Sequence, residues 1–140
     1  MTAYEVRPEV AGGLGDGTFI AFDQPGAPVT VLHYEFHGWN GDDIVTTSPE
    51  HIVTAQLAQA LNETGLTGFR FDDVVVTKSE QFEMFHPEVV LPSWRWLRIT
   101  GDPGTDDAWR GERGRLTVSD RFYEVLSRFT IANGRNRALD

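Results

Sequence analysis

Ile52-Val-Thr-Ala-Gln-Leu-Ala-Gln-Ala-Leu61 changes its hydrophobic period in mid-run. Ile52 and Val53 are consecutive β-branched residues, as in a buried strand. Leu57, Ala58, Ala60 and Leu61 then fall at helical spacing. Thr54 stands at the change, where a hydroxyl can accept from a free N–H of the first helical turn. Gly65 sits where a glycine ends a helix. The stretch predicts a strand feeding directly into a helix over 54–64.

Leu116-Thr-Val-Ser-Asp-Arg-Phe-Tyr-Glu-Val-Leu126 repeats this instruction and predicts a second helix over 119–129. Val118-Ser119 matches Val53-Thr54, and Phe122, Leu126 and Ile131 match Leu57, Leu61 and Leu66, each at an offset of 65. Upstream, Asp106-Asp107 matches Asp42-Asp43 at 64, and Gly101 matches Gly38 at 63. We read two repeat units, 29–71 and 93–135, each a strand, a glycine turn, an Asp pair, a short strand, a hydroxyl cap and a helix.

Outward from these units, Val29 to Phe36 reads as a strand, and Phe69 to Thr77 as the strongest one, centred on Val74-Val75-Val76. Ser79 caps a helical turn through Met84. In Trp94-Arg-Trp-Leu-Arg-Ile-Thr100 the tryptophans lie on one face and Leu97 and Ile99 on the other, the pattern of an interior strand covered on both sides. Residues 11–28, rich in glycine and proline, predict loops around one short strand, Thr18 to Phe22; Gly101 to Gly114 predicts a polar loop, and Asn133 to Asp140 a fraying tail. The fold class is α+β: one domain over 1–140, a mixed, mostly antiparallel sheet and two main helices.

The net charge is −9. Residues 1–100 hold 14 acids and 5 bases, whereas residues 101–140 hold 7 of each, so the excess lies in the first 100. Such a field disfavours nucleic acid and anionic membrane surfaces and favours a basic protein partner. There is no cysteine, hence no disulfide framework or thiolate metal site, in keeping with a reducing, cytoplasmic setting. Met1 to Val10 lacks the apolar core of a signal peptide.

Motifs for catalysis are missing. His33 and His37 have metal-ligand spacing only on a helix; on a strand they lie roughly 13 Å apart, too far to share an ion. Asp72-Asp73 interrupts a strand and sends one carboxylate to each face, and the other two Asp pairs follow glycine turns. Gly12 to Gly17 leads into no helix and lacks the phosphate-binding context. The expectation is no catalytic residue, no metal and no cofactor. Trp39 and Trp109 stand in loops beside Asp pairs. Trp39, Asp42, Asp43, Asp106, Asp107 and Trp109 therefore form the candidate partner-binding set, carboxylates steering and tryptophans anchoring.

Leu91-Pro-Ser-Trp-Arg-Trp-Leu97, Gly101 with Asp106-Asp107, and Gly114-Arg-Leu-Thr-Val-Ser-Asp-Arg-Phe-Tyr-Glu-Val-Leu126 resemble small immunity proteins of bacterial polymorphic toxin systems and their uncharacterised actinobacterial relatives. The resemblance covers roughly residues 30–133 in outline, with distinct motifs in the last third. It implies a non-enzymatic binding protein that neutralises a cognate toxin. Two other readings stand beside it: a small enzyme or ligand-binding protein with a site under the Gly12–Gly17 loop, and an accessory or scaffold protein of a bacterial gene cluster.

Overall fold

The computed structural model describes residues 2–139. In chain order the strands are β1 (Ala3–Arg7), β2 (Glu9–Val10), β3 (Gly12–Leu14), β4 (Phe19–Ile20), β5 (Val29–Val31), β6 (His33–Phe36), β7 (Ile44–Thr47), β8 (Glu50–Thr54), β9 (Phe69–Asp72), β10 (Val75–Lys78), β11 (Trp94–Ile99), β12 (Ala108–Arg110), β13 (Leu116–Ser119) and β14 (Arg135–Leu139). Helix α1 (Ala55–Asn62) follows β8, α2 (Glu80–Phe85) follows β10, and α3 (Asp120–Ser127) follows β13. The class is α+β with mostly antiparallel sheets, as expected.

All three helices start as the sequence dictates. Thr54, Ser79 and Ser119 are extended, and their hydroxyls accept from Leu57, Phe82 and Phe122 N–H at 3.4, 3.1 and 3.2 Å. Leu57, Leu61, Phe122 and Leu126 are fully buried, each contributing roughly 1.5–3 kcal/mol of transfer free energy.

Two larger sheets meet over α1 and α3. One has the order β12-β13-β1-β14; the other has β2-β7-β8-β11-β9. Pairing is antiparallel except between β2 and β7. Val53, Leu97, Val118 and Val6 from the two sheets join both helices in one core. A third sheet, β10-β6-β3, covers the far face of the five-stranded sheet and encloses a second core, with Tyr34, Phe36, Phe82, Trp94 and Trp96. β11 thus feeds both cores from alternate residues, as its pattern required. The wholly buried Tyr34 hydroxyl links layers, donating to Thr46 O at 2.8 Å and accepting from Ala11 N–H at 3.1 Å.

Several expectations need correcting. Through Leu139 the tail is not frayed, Asp140 lying outside the described residues: β14 pairs with β1 along five residues, because a strand from the other end of the chain offers it a ladder. Phe69–Thr77 is two strands in different sheets, parted at Asp73-Val74; β9 lies against β11, and β10 against β6. The loop 101–114 contains β12 and a 3-10 turn. Nor does the repeat extend upstream of the Asp pairs, since β6 pairs with β10 and β3, whereas β11 lies between β8 and β9 of the first unit. The strand equivalent to β11 is β1. Trp96 pairs with Ile52 and Asp72, while Glu5 pairs with Thr117 and Arg137, and both sets of partners keep the offset of 65. The second unit is closed by the N-terminal strand, as in a circular permutation.

Candidate functional site

The Asp pairs were expected in surface turns, facing a partner. Asp43 Oδ1 accepts from the Thr54 hydroxyl at 2.8 Å, and Oδ2 accepts from the N–H of Thr130, beyond α3, at 2.8 Å. Asp107 Oδ1 accepts from the Ser119 hydroxyl at 2.8 Å, and Oδ2 from the N–H of Thr67, beyond α1, at 3.0 Å. Each aspartate thus orients the cap of its own helix and binds the chain leaving the other helix. These contacts make Thr67 the counterpart of Thr130, and hence Leu66 that of Phe129 rather than Ile131. Gly38 and Gly101 also differ: a Cβ on Gly38 meets nothing, whereas one on Gly101 would lie 2.0 Å from Ala108 O.

Asp42 is 1 % exposed and accepts from Asn133 N–H and Nδ2, both at 2.9 Å. Asp106 Oδ2 accepts from Asp102 N–H at 2.7 Å. Trp39 is half-buried, edge-on to Trp94, with its indole N–H on Asp42 O at 2.8 Å; Trp109 is also half-buried. The carboxylates of Asp42, Asp43 and Asp107 are thereby held by donors of this chain, a physical reason to seek a docking rim elsewhere.

His33 and His37 make separate hydrogen bonds. His33 Nδ1 accepts from Gly17 N–H at 2.9 Å, which leaves Nε2–H to donate to Thr77 Oγ1 at 2.7 Å, while His37 meets Glu35 at 3.1 Å. The His33 ring fills the space beneath the Gly12–Gly17 loop: a Cβ on Gly15 would lie 2.3 Å from its Nδ1. Among the described residues no group of three or more His, Cys, Asp or Glu is placed to hold a metal ion, and no helix is long and apolar enough to cross a membrane.

Two features escaped the sequence reading. The first is an apolar, acidic face around α2. Met84, Phe85 and Val90 are 71, 69 and 86 % exposed, and Glu80, Glu83 and Glu88 are exposed beside them in the chain. Between Lys78 and Arg95 there is no lysine or arginine, and Lys78 turns its ammonium onto Val89 O and the Phe82 ring. Part of the signal was legible: Met84 falls two residues after the buried Phe82, on the opposite side of the helix, whereas Phe85, three residues on, shares the Phe82 side and its exposure depends on what the fold packs there.

The second is a cleft of about 570 Å³ on the seam between the two larger sheets, where β1 passes through Pro8 into β2. The β7–β8 turn and the loop before β13 form its sides, tied together by Arg110, whose Nη1 donates to Pro49 O at 2.9 Å. Arg7, Arg113, Arg115 and Arg135 line it, with Glu9 and His51. Arg115 is drawn to the buried Glu5 at 3.3 Å. His51 is 5 % exposed, and burial, helped by the Arg110 charge, lowers its pKa to about 3, so the ring is neutral near pH 7. Burial and the nearby Asp42 charge raise the pKa of Glu9.

Neither a protein-family model nor a curated protein matches the chain. The motifs that carry the resemblance to immunity proteins fall on β11, the turn holding Gly101 and Asp106-Asp107, β13 with its cap Ser119, and α3.

Proposed function

We propose that the chain is a non-enzymatic, cytoplasmic binding protein that docks a basic protein partner, the toxin-neutralising role its resemblance implies. The observation that carries this reading is the α2 face, with Met84, Phe85 and Val90 exposed in a stretch of glutamates whose one lysine is engaged inward. Exposed apolar side chains rimmed by charge of one sign mark protein interaction surfaces. Desolvating Phe85 would supply residual affinity, and the glutamates would steer association and make its rate fall with salt.

The test pairs the protein with the product of the neighbouring gene, as immunity genes lie beside their toxins, and follows binding by interferometry at two salt concentrations. Phe85→Asp is expected to weaken binding at least about tenfold through the off-rate, and Glu80→Gln with Glu83→Gln to lower the on-rate. Both sites are exposed, so folding is unaffected. No association, or association indifferent to Phe85→Asp, overturns the reading.

A further inference from the structure

The cleft on the seam between the sheets is basic in a protein of net charge −9. Arg7, Arg113 and Arg135 are exposed and come from three separate parts of the chain, and among the described residues none has a carboxylate at ion-pair distance. Arg113 is held at φ 58, ψ 26, a left-handed conformation that side chains with a Cβ rarely adopt. Its guanidinium is brought to the cleft despite that backbone cost.

The wall also leaves polar atoms without partners. His51 Nδ1 and Glu9 Oε2 are both buried and accept or donate no hydrogen bond, and both residues line the cleft. Native proteins rarely leave such atoms unpaired. A neutral imidazole can pair with a hydroxyl in either sense, and a carboxylate oxygen accepts a hydrogen bond from a hydroxyl. Val10, Pro49 and Leu116 add apolar wall for a carbon skeleton. The volume lies within the roughly 300–1,000 Å³ of small-molecule sites.

We propose that this cleft binds a small polyhydroxylated molecule bearing an oxyanion, phosphate or carboxylate, with Arg7, Arg113 and Arg135 on the oxyanion and His51 and Glu9 on hydroxyls. Guanidinium groups suit this task because their donors match the paired oxygens of either anion. The site is independent of the α2 face and requires no partner protein.

The experiment is calorimetric titration of the purified protein, in phosphate-free buffer at low salt, with glucose 6-phosphate, gluconate, glucose and inorganic phosphate. Glucose 6-phosphate or gluconate is expected to bind saturably, whichever is tighter identifying the oxyanion, and glucose to bind at least about tenfold more weakly. Arg113→Gln with Arg135→Gln should weaken the bound ligand at least about tenfold with Tm unchanged, since both side chains are exposed. His51→Asn should weaken it while leaving inorganic phosphate as before. Failure of both oxyanion sugars to bind, or binding indifferent to the arginine substitutions, overturns the proposal. So does inorganic phosphate binding as tightly as the sugar phosphate.

Discussion

Replacing Asp43 with alanine removes two acceptors at once, the one that orients the Thr54 cap and the one that holds the chain beyond α3. A hydrogen bond to a charged group contributes about 1.5–3 kcal/mol. Asp43 is half-buried, which discounts the upper end, but the Thr54 hydroxyl it serves is in a residue only 3 % exposed. The expected loss is about 3 kcal/mol. For 140 residues that is a fall of about 10 °C in Tm, at about 2–4 °C per kcal/mol. Urea unfolding followed by circular dichroism reads it directly, with the slope unchanged if the native fold is kept. Asp43→Asn should recover roughly half, because the amide keeps one acceptor but loses the charge. Thr54→Ala alone should cost about 1 kcal/mol, and less in the Asp43→Ala background, since the cap would already be misdirected. Asp107→Ala should behave alike through Ser119 and Thr67. A cost below about 0.5 kcal/mol for Asp43→Ala, or strict additivity with Thr54→Ala, would refute the interlock.

Two further outcomes are expected. His51 has a folded pKa of about 3 against an ordinary 6.5, so the unfolded chain binds more protons between these values. The stability His51 contributes is full above about pH 6.5 and declines as pH falls toward 3, and the stability difference between wild type and His51→Leu should therefore shift by roughly 1.4 kcal/mol per unit between about pH 6 and pH 4; a flat difference across that window would mean that the ring is charged or solvated. Gly12→Ala should cost about 3 kcal/mol or prevent folding, because its Cβ would lie 1.9 Å from Glu35 O, while Gly38→Ala meets nothing and should stay within about 0.5 kcal/mol; equal thermal shifts for the two would contradict the close approach of β3 to β6.

What was legible in the sequence was local. The caps Thr54, Ser79 and Ser119, the helical stripes and the two-faced strand Trp94–Ile99 are instructions that a few neighbouring residues carry in full. What was illegible depended on distant partners. Arg135–Leu139 alternates no apolar residues and is a strand because Ala3–Arg7 gives it one. The opening residues gave no sign that they close the second unit, because that role shows only in a register across more than 100 residues. Glu5 makes the point sharply. At the place where the first unit has Trp96, packed against a third layer, the second unit has a buried carboxylate clamped by Arg115 and Arg137 at 3.3 Å each. The cleft was missed for the same reason. The balanced charge of residues 101–140 concealed that Arg113 and Arg135 gather with Arg7 rather than with the acids near them in the chain.

The aspartate crossings bear on why the two similar units form one body. Had each aspartate bound only its own cap, either unit would satisfy its polar groups alone, and the contact between units would rest on the shared apolar core. Instead Thr130 N–H has its acceptor in the first unit, and Thr67 N–H has its acceptor in the second. A unit separated from its counterpart would leave a backbone donor unpaired at the end of its helix and bare the face holding Leu57 and Leu61, or Phe122 and Leu126. The N-terminal strand adds a covalent argument. β1 lies between β13 and β14, and past Pro8 the chain enters β2 beside β7, so the second unit's sheet takes strands from both ends of the chain. The cleft stands at that turn. Its arginines come from β1, from the loop before β13 and from β14, and its buried histidine comes from β8, so closing the two units together is also what assembles the basic wall.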